Sequence, residues 1–168
     1  MTSLLVADHS SMQALGERLA GQLVAGDLVV LSGELGAGKT TLTQGIGRGL
    51  GVRGDVTSPT YVIARVHPST GDGPPLVHVD AYRLSSSLEV DDLDLDAALE
   101  DSVTVVEWGE GLVEGLAPDR LLLTIVRSVG VEPEVAGGVA QEHRVVSIVG
   151  VGDRWAGVAF DVLAGGNR

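Results

Sequence analysis

The sequence predicts an α/β fold in which helices cover both faces of a mixed, partly parallel sheet. The chain of 168 residues is 44% hydrophobic but has only two Trp, two Tyr and one Phe. Its core must therefore consist mainly of Val, Leu, Ala and Ile, which is typical of buried parallel strands beneath helices. Apolar runs of strand length also alternate with segments of helical spacing. At this length we expect one domain over residues 1–168.

The N-terminal third predicts strand, helix, strand, glycine loop and helix. Leu4 to Ala7 is a short apolar run, followed by Asp8, Ser10 and Ser11 as candidate helix caps. The apolar positions of this first helix are Met12, Leu15, Leu19 and Leu23. A second strand is predicted over Leu28 to Leu31 and a second helix over Thr40 to Leu50, with Gly33 to Lys39 between them.

The middle of the chain predicts a hairpin and then an acidic helix. Tyr61 to His67 and Leu76 to Asp80 are β-rich runs, and the turn-forming segment Pro68 to Pro75 separates them. A helix capped by Ser85 to Ser87 is expected to run through Glu100. Its many acids favour a solvated face over a metal cluster.

Three more strands and a last helix are predicted in the C-terminal part. Val103 to Val106 is an apolar strand, and Leu121 to Val126 is expected to pair with Arg144 to Val149. Between the paired strands, Ser128 to Gln141 predicts a long connection. The last helix is expected to start at Asp153 and end at Gly165 and Gly166, with an apolar face of Trp155, Val158, Ala159 and Val162.

The charge balance excludes some functions. The formal net charge is −12 with a pI near 4.5, so most of the surface repels phosphate backbones and tight direct binding of RNA or DNA is not expected. The absence of Cys excludes disulfides and thiolate chemistry. Met1 to Ser10 lacks a basic region followed by an apolar run, and no stretch reaches the length of a membrane span. We therefore expect a cytoplasmic protein.

A glycine loop from Gly33 to Thr40 matches a phosphate-binding pattern. Its sequence Gly-Glu-Leu-Gly-Ala-Gly-Lys-Thr has glycine, four residues, glycine, lysine and then threonine. Glycines let backbone N–H groups curl around a phosphate, where side chains would block the approach. Lys39 would reach the β and γ oxygens of ATP, and Thr40 would place a hydroxyl on magnesium at a helix N-terminus.

The position of Lys39 argues against a chance match to the phosphate-binding pattern. The chain has 24 glycines, which makes glycine patterns common, yet Lys39 is its only lysine. The loop also lies between a buried-type strand and a helix, which is the context that the motif requires. We expect Lys39 to be exposed and to have no role in packing. Gly45, Gly47, Gly49 and Gly51 lack a preceding strand, so they favour helix packing and termination over a second loop.

Two acidic residues end apolar strands. Leu76 to Asp80 ends in Asp80, and Val103 to Glu107 ends in Glu107. Ligands collect at the carboxyl ends of parallel strands, so one acid could hold magnesium and the other could orient the attacking water. Each acid taken alone could equally be a surface or capping carboxylate.

These residues resemble the bacterial TsaE (YjeE) family of ATPases in tRNA threonylcarbamoyladenosine synthesis. The resemblance covers roughly Asp8 to Leu123. It rests on the glycine loop, then Thr57-Ser-Pro-Thr-Tyr61, His78-Val-Asp-Ala-Tyr-Arg-Leu84 and Val106-Glu-Trp108, in the family's order and spacing. It implies a P-loop NTPase-like three-layer α/β/α fold. The sequence departs from the family at Glu34, Ala81 and Gly109, and in the long connection from Ser128 to Gln141.

The resemblance also implies roles for individual residues. Phosphates of ATP would be bound by Gly36, Ala37, Gly38, Lys39, Thr40 and Thr41. Thr40 and Glu107 would ligate magnesium, and Lys39 and Asp80 would be catalytic. Ser58 and Thr60 would belong to a switch-like segment that extends to Tyr61. Trp108 would lie beside the nucleotide, and His9 and the region of Arg144 near its base.

The leading functional hypothesis is a slow magnesium-dependent ATPase that services a partner complex. The resemblance identifies that complex as the TsaD and TsaB proteins, so tRNA would be contacted only indirectly. The alternatives are a small-molecule P-loop kinase and a nucleotide-dependent scaffold. Kinases of that type usually close an Arg-bearing lid over the phosphates, and Ser128 to Gln141 contains neither Arg nor Lys.

Overall fold

The fold is built on one mixed sheet. The computed structural model describes residues 1–59, 63–91, 93, 95–128 and 143–164. In these residues the strands are β1 (Thr2–Val6), β2 (Leu28–Gly33), β3 (Ala64–His67), β4 (Leu76–Asp80), β5 (Val103–Glu107), β6 (Arg120–Arg127) and β7 (Arg144–Val151). Their order across the sheet is β1-β7-β6-β2-β5-β4-β3. Strands β4, β5, β2 and β6 are parallel neighbours, whereas β3, β7 and β1 pair antiparallel.

Helices cover both faces of this sheet. The helices are α1 (His9–Ala20), α2 (Lys39–Leu50), α3 (Ser87–Asp91) and α4 (Leu95–Leu99) among the described residues. Alternate residues of β2 point to opposite faces, so Val29 and Leu31 join the core beneath α1 and α2. Leu28 and Val30 join the second core, to which α3 and α4 contribute. The predicted α/β/α arrangement around a partly parallel sheet is confirmed.

Helices α1 and α2 pack closely because glycines line their contact. A Cβ atom on Gly45 would collide with the backbone of Gln13, and one on Gly49 with Ala20. Gly51 ends α2 in the left-handed conformation at φ 67°. The interpretation of these glycines as packing and termination residues is therefore confirmed. At the start of α1, Asp8 accepts a hydrogen bond from the Ser11 backbone N–H, which lowers the pKa of Asp8 to about 2.

The two predicted hairpin pairings are present. β3 pairs antiparallel with β4, and β6 with β7. The predicted connection from Ser128 to Gln141 lies outside the described part of the chain except for Ser128, whose N–H donates to the carbonyl oxygen of His143.

The acidic segment forms two short helices instead of one. α3 and α4 replace the single helix predicted through Glu100. Asp is a poor helix former, and acids at Asp96 and Glu100 stand four residues apart, where like charges destabilise a helix. The described acids of this segment are exposed, in agreement with the predicted solvated face.

The predicted last helix is wrong. The described residues 153–164 form two short 3₁₀ turns instead, at Asp153–Trp155 and Asp161–Leu163. Gly157 adopts φ 77° between them, and the N-cap of the first turn is Gly152 instead of Asp153. The buried residues of this segment are Trp155, Phe160 and Leu163, while Val162 is 63% exposed. The predicted helix end at Gly165 and Gly166 lies outside the described residues. No helix in the described part of the chain is long and apolar enough to cross a membrane.

Candidate functional site

The carboxyl ends of three neighbouring parallel strands define the site. Leu31 of β2 is in register with Glu107 of β5, and Glu107 is in register with Asp80 of β4. The glycine loop begins at the end of β2, because Gly33 is its last residue. The structure therefore brings the loop and both predicted acids to one edge of the sheet.

The glycine loop has the backbone shape that the motif predicts. Gly33, Gly36 and Gly38 have φ angles of 147°, 76° and 115°, in a region that residues with side chains rarely adopt. A Cβ atom on Gly33 would also lie 2.5 Å from the carbonyl oxygen of Ile125. Gly38 is the N-cap of α2, and no side chain of the described chain caps this helix. The N-terminus of α2 is thus open to an anion.

Lys39 is buried, in contrast to the expected exposed side chain. It is 5% exposed, because the loop and Trp108 enclose it. Its ammonium group donates hydrogen bonds to the carbonyl oxygens of Gly33 (2.7 Å) and Glu34 (3.0 Å). It also lies 3.8 Å from the centre of the Trp108 ring, a cation–π contact. Burial lowers the pKa of Lys39, and the charges of Glu107 and Asp80 oppose that shift.

Glu107 joins α2 to β4 through hydrogen bonds. The Thr40 hydroxyl donates to its carboxylate at 2.9 Å and 3.2 Å, and His78 Nε2 lies 2.8 Å from its Oε1. Glu107 is 3% exposed and His78 is fully buried. The carboxylate is therefore fixed in place by residues on two different elements.

Asp80 contacts the segment that precedes β3. The Ser58 hydroxyl donates to Asp80 Oδ2 at 3.3 Å, and the backbone N–H of Tyr82 donates to Oδ1 at 3.1 Å. Thr60 and Tyr61, the remaining predicted members of the switch-like segment, lie outside the described residues.

Trp108 has an unusual backbone at the end of β5. Its φ angle is 63°, which is rare for a bulky residue, and its N–H donates to the carbonyl oxygen of Leu31 at 3.0 Å. Its ring packs edge-to-face on Tyr82 with 5.2 Å between ring centres. Strained backbone of this type is common at functional sites.

These residues surround one cleft. Its volume is about 330 Å³, and its lining includes Lys39, Thr40, Ser58, Asp80, Glu107 and Trp108. Gly36, Gly38 and Thr41 line both this cleft and a second depression, which also contains His9 and Arg144. Ala37 is fully buried, and its carbonyl oxygen accepts a hydrogen bond from Arg144. The structure thus separates His9 from the acids but leaves it beside the loop.

Two residues of the site have no role in the sequence interpretation. His78 is two residues before Asp80, so strand alternation alone could have placed it on the face of the acids. Arg127 donates to the carbonyl oxygen of Leu35 at 3.2 Å, and Arg144 likewise to Ala37 at 3.0 Å. These two arginines brace the loop from β6 and β7. No local pattern predicts the contact of Arg127, because it joins residues far apart in the chain.

The donor groups fit a magnesium nucleotide. The Thr40 hydroxyl and the Glu107 carboxylate already touch each other, and oxygen atoms of these types are the ligands that magnesium prefers. The open N-terminus of α2 and the ammonium group of Lys39 suit phosphate oxygens.

Strand β2, the glycine loop and helix α2, with acids at the neighbouring strand ends, define the chain as a P-loop protein of the nucleotide-binding class. Residues 6–132 match the family described as Threonylcarbamoyl adenosine biosynthesis protein TsaE. The chain belongs to the TsaE family.

Individual relatives agree with this assignment. The chain is 66% identical over 155 residues to the Streptomyces coelicolor tRNA threonylcarbamoyladenosine biosynthesis protein TsaE, covering 92% of this chain and all of that one. It is 55% identical to the Mycobacterium tuberculosis protein of the same name, over 67% of this chain and 71% of that one. The crystal structure of Bacillus subtilis YdiB matches with a TM-score of 0.69 at 28% identity, covering 96% of this chain and 90% of that one.

Proposed function

We propose that this protein is a magnesium-dependent ATPase that supports threonylcarbamoyladenosine modification of tRNA. The observation that carries the proposal is the contact of Thr40 with Glu107 beside Lys39 and the open N-terminus of α2. The relatives reported above are named for this modification. We further propose that the chain works as a single domain in the cytoplasm.

The site divides the work among its own residues. Backbone N–H groups from Gly36 to Thr41 would bind the phosphates, and Lys39 would add a positive charge that compensates the negative charge there. Thr40 and Glu107 would hold magnesium, which when bound polarises the phosphoryl oxygens. Asp80 would orient the attacking water, and Ser58 holds its carboxylate from the side of the switch-like segment. His9 would lie near the base.

The acidic composition of the chain argues against direct tRNA binding. With a net charge of −12, the chain has few Lys and Arg residues that could bind the phosphates of a nucleic acid. We therefore propose that it docks on TsaD and TsaB and that these partners hold the tRNA. Hydrolysis would reset that complex between turnovers. Residues 58–61 would change order with the γ-phosphate, as switch loops do, and would make docking depend on the nucleotide.

A phosphate-release assay tests the proposed activity. The purified chain is measured alone, with candidate small-molecule acceptors, and with TsaD and TsaB. Slow release that the partners change and acceptors do not would support the proposal. Acceptor-dependent loss of ATP without phosphate release would instead indicate a kinase, and binding without turnover would indicate a scaffold.

A pull-down tests the proposed partners. TsaD and TsaB are captured with and without ATP, and a tRNA shift assay is run near physiological salt. Association with the pair that responds to ATP, without a tRNA shift, is expected. Tight tRNA binding by the isolated chain, or no association in any nucleotide state, would refute the servicing role.

A further inference from the structure

His78 lies in the middle of β4, the strand between β5 and the edge strand β3, next to the proposed metal-binding carboxylate. In β4 and β5, His78 is in register with Val105, and Asp80 with Glu107. Because side chains alternate along a strand, His78, Asp80 and Glu107 point to the same face of the sheet. That face is the one covered by α2, since Val105 belongs to the core beneath α1 and α2.

A hydrogen bond joins His78 to Glu107. His78 Nε2 lies 2.8 Å from Glu107 Oε1. When Glu107 is ionised, as a metal-binding carboxylate is, it only accepts hydrogen bonds, so Nε2 is the donor in that state. The other ring nitrogen, Nδ1, is buried and has no hydrogen-bond partner among the described residues. Among the described residues, the His78 ring therefore has Glu107 as its hydrogen-bond partner.

A histidine used only for packing would be a poor choice here. The neighbouring position on β5 is Val105, and apolar residues fill most of the same core. Burying an imidazole with one nitrogen unpaired costs free energy that an apolar residue would not cost. The contact with Glu107 is the feature that offsets this cost.

We propose that His78 is a positioning residue that orients the Glu107 carboxylate for magnesium. This inference rests on the proposed function. Glu107 is held from the helix side by the Thr40 hydroxyl and from the sheet side by His78. Without the second contact the carboxylate can rotate away from the metal. Outer partners of this type change metal affinity or activity by roughly 10–100-fold when removed.

Three substitutions separate positioning from packing. His78→Leu removes the donor, whereas His78→Gln places an amide N–H near the position of Nε2. His67→Leu is the matched control, because His67 is also a buried histidine, on the adjacent strand β3. We expect His78→Leu to raise the magnesium concentration for half-maximal hydrolysis about tenfold or more. His78→Gln should recover most of this loss, and His67→Leu should leave the magnesium dependence unchanged.

Nucleotide binding without metal provides the second comparison. ATP affinity measured in a chelator should be the same for wild type and His78→Leu, since the loop is untouched. Equal losses with and without magnesium would overturn the proposal and indicate a packing role. If His78→Leu does not fold, His78→Asn replaces it, because its amide is too short to reach Glu107. Equal behaviour of His78→Asn and His78→Gln would also overturn the proposal.

A double-mutant cycle tests whether His78 acts through Glu107. Adding His78→Leu to Glu107→Gln should cause no further change in magnesium dependence. Additive losses would contradict the proposal.

Nuclear magnetic resonance of the metal-free protein gives a readout independent of activity. The His78 ring should show a slowly exchanging proton on Nε2, and this signal should shift in Glu107→Ala. A His78 ring with no proton on Nε2 would overturn the proposal. A wild-type protein with no magnesium-dependent binding or hydrolysis would refute the proposed function, whereas normal wild-type dependence with an unaffected His78→Leu would refute this inference alone.

Discussion

The two tryptophans belong to regions of different character. Trp155 is 4% exposed, packs against Phe160 with 6.0 Å between ring centres, and lies below the guanidinium group of Arg154 at 4.2 Å. Trp108 has a φ angle of 63° and packs against the only lysine of the chain. The C-terminal segment has ordinary side-chain packing around Trp155, although the Trp155 Nε1 atom is buried with no hydrogen-bond partner among the described residues. The end of β5 instead combines backbone strain with buried charge, which is where a functional site is expected.

The buried polar side chains also differ between the region of Trp108 and the region of Trp155. Lys39, His78, Asp80 and Glu107 are all buried at the parallel end of the sheet. Near the C-terminal segment, the buried charge is Asp27, which pairs with Arg154 at 3.1 Å and accepts from the backbone N–H of Val24. That pair ties a turn to the segment, and neither residue lines the cleft of Lys39 and Glu107. The comparison predicts that substitutions in the first region change activity, and those in the second change stability.

Lys39→Met should show the largest effect on activity. Methionine keeps an unbranched apolar stem beside Trp108 but removes the charge, so hydrolysis at saturating ATP and magnesium should fall about 100-fold or more. The melting temperature should change little. Trp155→Ala is the counterpart, with a loss of roughly 3 kcal/mol in the free energy of unfolding and unchanged specific activity of the folded protein.

Phosphate release and thermal melts of both variants check this division. Near wild-type hydrolysis by Lys39→Met would contradict the proposed role of the loop in ATP hydrolysis. Loss of activity in folded Trp155→Ala would contradict the assignment of the Trp155 region to stability alone.

Glu107→Gln and Asp80→Asn should separate two roles inside the first region. Glu107→Gln should weaken magnesium dependence more than nucleotide affinity, because the Thr40 contact is the proposed metal site. Asp80→Asn should lower turnover, about 100-fold, with ATP still bound. Magnesium titrations of hydrolysis and of ATP binding distinguish the variants. The opposite pattern would exchange the roles, and two negligible effects would place both acids outside the site.

The parallel region was predictable because its signals are local. The glycine loop directly follows its own strand in the sequence, and each acid directly ends its own apolar strand. Parallel topology then brings these strand ends together. The C-terminal segment was mispredicted because its apolar spacing imitates a helix, while Gly157 at φ 77° breaks the backbone. Which apolar residue is buried there depends on contacts of the first turn with β6 and β7 and of the second turn with β1 and α1. The sequence of the segment does not contain that information.

Within the site, the sequence predicted where the functional residues lie better than it predicted how buried their side chains are. It placed Asp80 and Glu107 at one edge, but it took Lys39 to be exposed. The burial of Lys39 depends in part on the Trp108 ring, which packs against its ammonium group. Trp108 is in the left-handed backbone region, which no propensity predicts for a bulky residue. The bracing of the loop by Arg127 also depends on tertiary contacts alone.

Gly36→Ala should have a smaller effect than the charge changes. A Cβ atom at Gly36 would collide with the guanidinium group of Arg127, and φ 76° is unfavourable for alanine by roughly 1–2 kcal/mol. If the loop shifts to relieve this strain, ATP affinity should fall about tenfold. Gly111→Ala is the matched control, because Gly111 has φ 81° but no described neighbour within 4 Å of an added Cβ.

ATP titrations and thermal melts compare the two glycine variants. Gly111→Ala should lose only stability, whereas Gly36→Ala should lose affinity. Equal ATP affinities of the two variants would show that the collision with Arg127 does not disturb phosphate binding by the loop.

Trp fluorescence should give the smallest effect and the most direct test of the comparison. Trp108 lines the cleft and touches Lys39, so a nucleotide that draws the ammonium group toward its phosphates changes the surroundings of the indole. Trp155 is enclosed by Phe160 and Arg154 and does not line this cleft. ATP titrations of Trp155→Phe should therefore keep the wild-type signal, and those of Trp108→Phe should lose it. A signal that survives the loss of Trp108 and disappears with Trp155 would mean that the nucleotide acts on the C-terminal segment, and the division into a chemical and a packing region would be wrong.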